Sequence, residues 1–214
     1  MAAFTFIVAA IAPAPVHADT LLFTFTSPLG LLGNSQGYGT SPADITAYGY
    51  SGTSNTVVNT PTALYAKNQG GDETGLGLNQ DSTGQDEIEN NAFVQIDFSD
   101  INTLHIASVQ FEMGSAQTGE NWAVYGSNTK GKIGTLLTSV QTGWSTADAT
   151  LLTLPNVGTY TYFSFTAAST DSSTANVLLS EIQINTTPEP ATYLLMGGAL
   201  IAVAMAGRRK RRDL

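Results

Sequence analysis

The chain has 214 residues, no cysteine, and 8 Lys+Arg against 17 Asp+Glu, a formal net charge of -9. Without cysteine it has no disulfide, no thiol nucleophile and no thiolate-ligated zinc or iron–sulfur centre. From Asp19 to Thr187 the only bases are Lys67, Lys130 and Lys132, against fifteen acids, a net charge of -12; phosphate recognition needs clustered Lys and Arg, so nucleic acid is excluded as a partner.

Residues 1–18 read as an export signal. Ala2 to Ala12 is an uncharged apolar run, and Val16-His17-Ala18 follows as a small-x-small cleavage site, with Asp19 as the first mature residue. No basic segment precedes the run. Pro13 and Pro15 oppose a continuing helix.

The body, residues 19–187, is rich in Gly, Ser, Thr and Asn. Its strand-like runs are short. Leu21 to Thr26 alternates in part, Gly30 to Thr60 reads as irregular cover with one or two early strands, and Thr62 to Ala66 follows Pro61. In Phe93 to Phe98, Val94, Ile96 and Phe98 share one face, with Gln95 and Asp97 on the other. His105, Ala107, Val109, Phe111 and Met113 alternate within Leu104 to Met113. Asn121 to Tyr125, Ile133 to Val140, Thr150 to Leu154, Tyr160 to Phe165 and Asn176 to Ile184 complete the set. Period-2 runs separated by turn residues predict an all-β fold, an antiparallel β-sandwich of jelly-roll type.

Residues 188–214 form a third segment. Pro188-Glu189-Pro190 is followed by seventeen uncharged residues, Ala191 to Gly207, and then by Arg208-Arg209-Lys210-Arg211-Arg212. Seventeen apolar residues are the short end of a transmembrane helix, and the abutting basic cluster stays cytoplasmic, which puts the body outside the inner membrane. The two prolines keep the preceding segment extended, in a form a protease threads.

Pro-Glu-Pro, apolar helix and Arg-rich end, in this order, resemble the PEP-CTERM sorting tail of exported bacterial proteins. The resemblance implies recognition by an exosortase after passage through the export machinery, cleavage near Pro188–Pro190, and delivery to the cell surface or extracellular matrix of an exopolysaccharide-making cell. Within the body, Phe93-Val94-Gln95-Ile96-Asp97-Phe98-Ser99, Asn121 to Ser127, Tyr160 to Phe165 and Leu178 to Ile184 resemble, in order, strands of discoidin-like, galactose-binding-type jelly rolls. The body departs from that family in having no arginine and no terminal cysteine pair.

Candidate chemistry is sparse. Gly33-Asn34-Ser35-Gln36-Gly37 fits a nucleophile-elbow pattern, but Thr40-Ser41-Pro42 does not open the helix such an elbow requires. His105, the one histidine of the mature body, reads as a partly buried strand residue. Asp72, Glu73, Asp81, Asp86, Glu87 and Glu89 make a run of acids without a base, a solvated loop in its simplest reading. Asp81, Asp86 and Glu87 are its candidate calcium ligands, oxygen donors on a Gly-containing turn; no other cofactor is expected. Trp144, Tyr48 and Tyr50 are the candidate sugar platform, whereas Trp122 lies in a strand and reads as core. The expectation is a non-catalytic binding or structural surface protein, with neutral exopolysaccharide as its ligand class. The alternative is a secreted polysaccharide hydrolase or lyase, which needs a paired-carboxylate or a His/Tyr/Lys site in a cleft.

Overall fold

In the computed structural model the described residues are 19–79, 84–116, 120–140, 150–168, 175–187 and 197–198. The signal 1–18 and nearly all of the predicted span 191–207 lie outside them. Among the described residues no helix is long and apolar enough to cross a membrane. The body, Thr20–Thr186, forms one compact unit.

Fifteen strands build it among the described residues: β1 (Thr20–Thr24), β2 (Gly30–Gly33), β3 (Ser35–Thr40), β4 (Ala43–Ser51), β5 (Thr60–Thr62), β6 (Leu64–Asn68), β7 (Thr74–Leu78), β8 (Ile88–Glu89), β9 (Ala92–Asp97), β10 (Ile106–Gly114), β11 (Trp122–Ser127), β12 (Thr135–Val140), β13 (Leu152–Thr153), β14 (Tyr162–Ala167) and β15 (Asn176–Thr186). They pair antiparallel in two sheets. One runs β13-β10-β15-β7-β6-β2, with β1 and β8 also on β15; the other runs β12-β11-β14-β9-β4-β3, with β5 on β4. The predicted all-β, two-sheet, sandwich-like body is what the chain forms.

The alternation seen in sequence sets the core. Val94, Ile96 and Phe98 point inward from β9 and its end, each fully buried. Phe163 and Phe165 join them from β14, and Val109, Phe111 and Met113 from β10 of the facing sheet. Phe111 stands edge-on to Trp122 at 5.3 Å and tilted against Phe165 at 5.4 Å. Trp122 is therefore core, as expected. Each such buried side chain contributes about 1.5–3 kcal/mol.

Bulges change the phase where strict alternation fails. The pairing of β10 with β15 shifts between Ile106 and Ser108, and again between Glu112 and Met113. The first shift removes His105 and Ala107 from the inward set, so His105 is exposed ahead of β10 rather than partly buried within it. The second lets Leu179 and Ile182 both face the core although they are three residues apart.

The early segment is more regular than its composition suggests. Gly30 to Thr60 contains three strands, and β4 is a nine-residue strand between β3 and β9. The elbow-like Gly33 to Gly37 is a strand-to-strand step from β2 to β3, and Ser35 is exposed with no helix after it. The acidic segment read as a solvated loop carries β7 and β8. Glycine at 49 in β4 and at 75 and 77 in β7 lowers the strand signal of these stretches, yet close backbone approach requires glycine there. A Cβ on Gly49 would lie 2.5 Å from the Thr62 carbonyl oxygen, and one on Gly75 2.7 Å from that of Leu179.

A further layer covers the outer face of the second sheet. Gln95 points away from the core but is fully buried. It accepts from the Gly131 N–H at 2.8 Å and donates to the Lys132 carbonyl at 2.9 Å and the Ser164 hydroxyl at 3.0 Å. The connection between β11 and β12 is thereby pinned over β9. Ile133 closes a small second cluster there with Tyr50 and Phe93.

Candidate functional site

A cleft of about 740 Å³ opens beside β6, lined among others by Tyr65, Lys67, Glu73, Asp86, Glu87, Ser115 and Glu120. Four of these residues converge from separate elements. Lys67 comes from β6, Glu73 from the turn into β7, Glu87 from the residue before β8, and Ser115 from the end of β10.

The backbone brings them together through close approaches. The β6–β7 turn closes with Gln69 N–H donating to the Glu73 carbonyl at 3.0 Å. Ser115 N–H donates to the Asp72 carbonyl at 2.9 Å, so the end of β10 is docked on that turn. Gly114 permits this, since a Cβ there would sit 2.6 Å from the same Asp72 oxygen. Gly77 does the same for the segment before β8, where a Cβ would collide with the Asp86 carbonyl and come within 2.8 Å of the Glu87 Cα.

The Lys67 ammonium then lies 2.5 Å from Glu73 Oε2 and 2.6 Å from Glu87 Oε1. The Ser115 hydroxyl is 3.0 Å from Glu73 Oε1 and 3.1 Å from Glu87 Oε1. The side chains of Lys67 and Glu87 are 7% and 3% exposed, that of Glu73 28%. Burial pushes the Glu87 carboxyl up, and the Glu73 charge adds to this, beyond what Lys67 offsets. Burial also acts upward on Glu73, but the hydrogen bonds from Lys67 and Ser115 outweigh it and hold that carboxyl below its usual range. For Lys67 burial acts downward and is outweighed by its two carboxylate partners, which hold the ammonium above its usual range. The two glutamates thus differ in direction, the more buried one displaced up and the other down.

Sequence reading singled out Glu87 as a calcium ligand and counted Glu73 only as one of a run of acids; it passed over Lys67 and Ser115. Glu87 is engaged by Lys67. Asp86 lines the same cleft, and Asp81 lies outside the described residues. Among the described residues no three of His, Cys, Asp and Glu are grouped to hold a metal ion. The available signal was Lys67 itself, one of three bases in the body, directly after the apolar run Leu64-Tyr65-Ala66.

The platform residues separate. Tyr50 is buried and stacks on Phe93 at 5.1 Å, so its ring face is covered by protein. Tyr48 is half-buried, with the Lys130 ammonium 3.5 Å above its ring centre. Trp144 lies outside the described residues, as do Pro188 to Pro190 and the basic cluster Arg208 to Arg212.

Compared with known proteins, residues 186–212 match the family model of the PEP-CTERM protein-sorting motif. No curated protein and no solved structure matches the chain. The motif implies recognition by an exosortase and an exported protein with a membrane-anchored sorting tail. It begins at Thr186, the last residue of β15.

Proposed function

We propose that the chain is an exosortase substrate whose body is delivered to the cell surface or extracellular matrix as a non-catalytic, structural or binding β-sandwich of jelly-roll type. The observation that carries this is where the fold ends. β1 begins at Thr20, just after the expected signal cleavage, and β15 ends at Thr186, just before Pro188-Glu189-Pro190. The two strands pair, Thr20 opposite Asn185, and the Thr20 hydroxyl donates to Asn185 Oδ1 at 2.9 Å. Removal of both ends leaves every strand of the described residues intact.

Neutral exopolysaccharide is the ligand class that suits a body of charge -12, which repels anionic polymers. The hydrolase or lyase alternative would draw on Glu73 and Glu87, but both carboxyls are engaged by the Lys67 ammonium, where a glycosidase pair has to flank a sugar.

The test is processing in an exosortase-bearing host. The parent should mature to a mass that ends near residue 188, and the double variant Pro188→Ala, Pro190→Ala should keep its tail. An identical mature mass in both would overturn the reading.

A further inference from the structure

We infer that Lys67 and Glu87 condense within the folded body to a side-chain amide, with Glu73 accepting the lysine proton and Ser115 polarising the Glu87 carboxyl. The product is an intramolecular staple between β6 and the segment before β8, in a chain without cysteine.

Proximity is the first support. Lys67 Nζ is 2.6 Å from Glu87 Oε1, and both side chains are almost wholly withdrawn from water. Reactants held this way reach effective concentrations of about 10⁵–10⁸ M. The second support is proton count. The reacting form of the cluster has Lys67 charged, Glu73 ionised and one proton on Glu87, and is neutral overall. Transfer of one proton from Nζ to Glu73, 2.5 Å away, leaves an amine, two carboxylic acids and the same net charge. At rest the partners of Lys67 hold it as the ammonium, so the amine is the minor form that this transfer supplies within the cluster. The upward displacement of Glu87 acts in the direction of the protonated electrophile.

The steps balance. The Nζ lone pair attacks Glu87 Cδ, and the N–C bond forms. The developing oxyanion on Glu87 is met by the Ser115 hydroxyl, 3.1 Å from Oε1. Collapse breaks the Cδ–O bond of the hydroxyl, which leaves as water with a proton returned by Glu73; the second Nζ proton then passes to Glu73, which ends protonated and exchanges with solvent. One water is released, and nothing is oxidised or reduced. Glu73 is the most exposed of the three, and the cleft gives the water a way out. Asp86 and Glu120, which also line the cleft, bring no competing amine.

The experiment is intact-mass spectrometry of the purified full chain, compared with the mass calculated from its observed termini. The expected result is a deficit of one water, no tryptic cut after Lys67, and no backbone fragments separating Lys67 from Glu87 in tandem spectra. Lys67→Arg and Glu73→Gln should each carry the full mass while keeping the parent's β-type far-UV spectrum. A folded parent at full mass overturns the proposal, whatever the variants do. So does a deficit that persists in Lys67→Arg or maps to Glu73, and a deficit that survives Glu73→Gln removes the assigned proton acceptor.

Discussion

Gly77→Ala separates the packing seen in the fold from what propensity predicts, because the two give opposite signs. On an open strand, replacing glycine by alanine restricts the unfolded chain and stabilises by about 0.4–1 kcal/mol. At position 77 the added methyl has no room, since it meets the Asp86 carbonyl and lies within 2.8 Å of the Glu87 Cα. Both obstacles are backbone, so the segment before β8 must move and the Lys67–Glu87 contact stretches with it. Overpacking of this kind costs about 1–3 kcal/mol. A net loss of about 1–3 kcal/mol, divided by a urea dependence of about 1–3 kcal/mol per molar, lowers the midpoint by roughly 1 M. Gly37→Ala is the matched control, on exposed β3 with nothing within 4 Å of the added atom. Urea unfolding followed by tryptophan fluorescence, with buried Trp122 as a reporter, should move the Gly77 variant down and leave the Gly37 variant level or slightly up. A Gly77→Ala midpoint equal to or above the parent's would refute the close approach that positions Glu87.

Two further outcomes are expected. Gln95→Leu keeps the volume but strips partners from the Gly131 N–H and the Lys132 carbonyl, so it should cost about 1–3 kcal/mol; a urea midpoint within error of the parent's would show that the β11–β12 connection is not held there. Burial, with smaller contributions from Tyr48 and Tyr162, pushes the Tyr50 phenol up to about 12, above its ordinary value of 10.0. The folded state therefore holds this proton where the unfolded state has released it. The stability it contributes is full below pH 10 and drains away as pH rises toward 12. Tyr50→Phe should accordingly unfold at higher pH than the parent in an alkaline titration, and coincident midpoints would contradict the assignment.

The sequence alone determined the elements whose physics is local. Alternation in Phe93 to Phe98 gave the inward set of β9, because period 2 along a strand is a property of the chain itself. Pro-Glu-Pro, an uncharged run and five adjacent cations gave the sorting tail for the same reason, since charge and hydropathy are read residue by residue. What the tertiary structure decided depends on neighbours remote in sequence. β7 was hidden because Gly75 and Gly77 weaken a strand in isolation, and their use is visible only against Leu179 and Asp86. His105 changed sides because a bulge in the β10–β15 pairing shifts the phase there. Tyr50, an exposed platform on pattern, is buried because residues 128–134 fold back over its face, and Gln95 is buried by the same cover. The Lys67 cluster draws one side chain from each of four segments spread over residues 67–115, and no spacing along the chain encodes that meeting. It exists because the β6–β7 turn docks on the end of β10 and two glycines let those backbones come within reach of one ammonium.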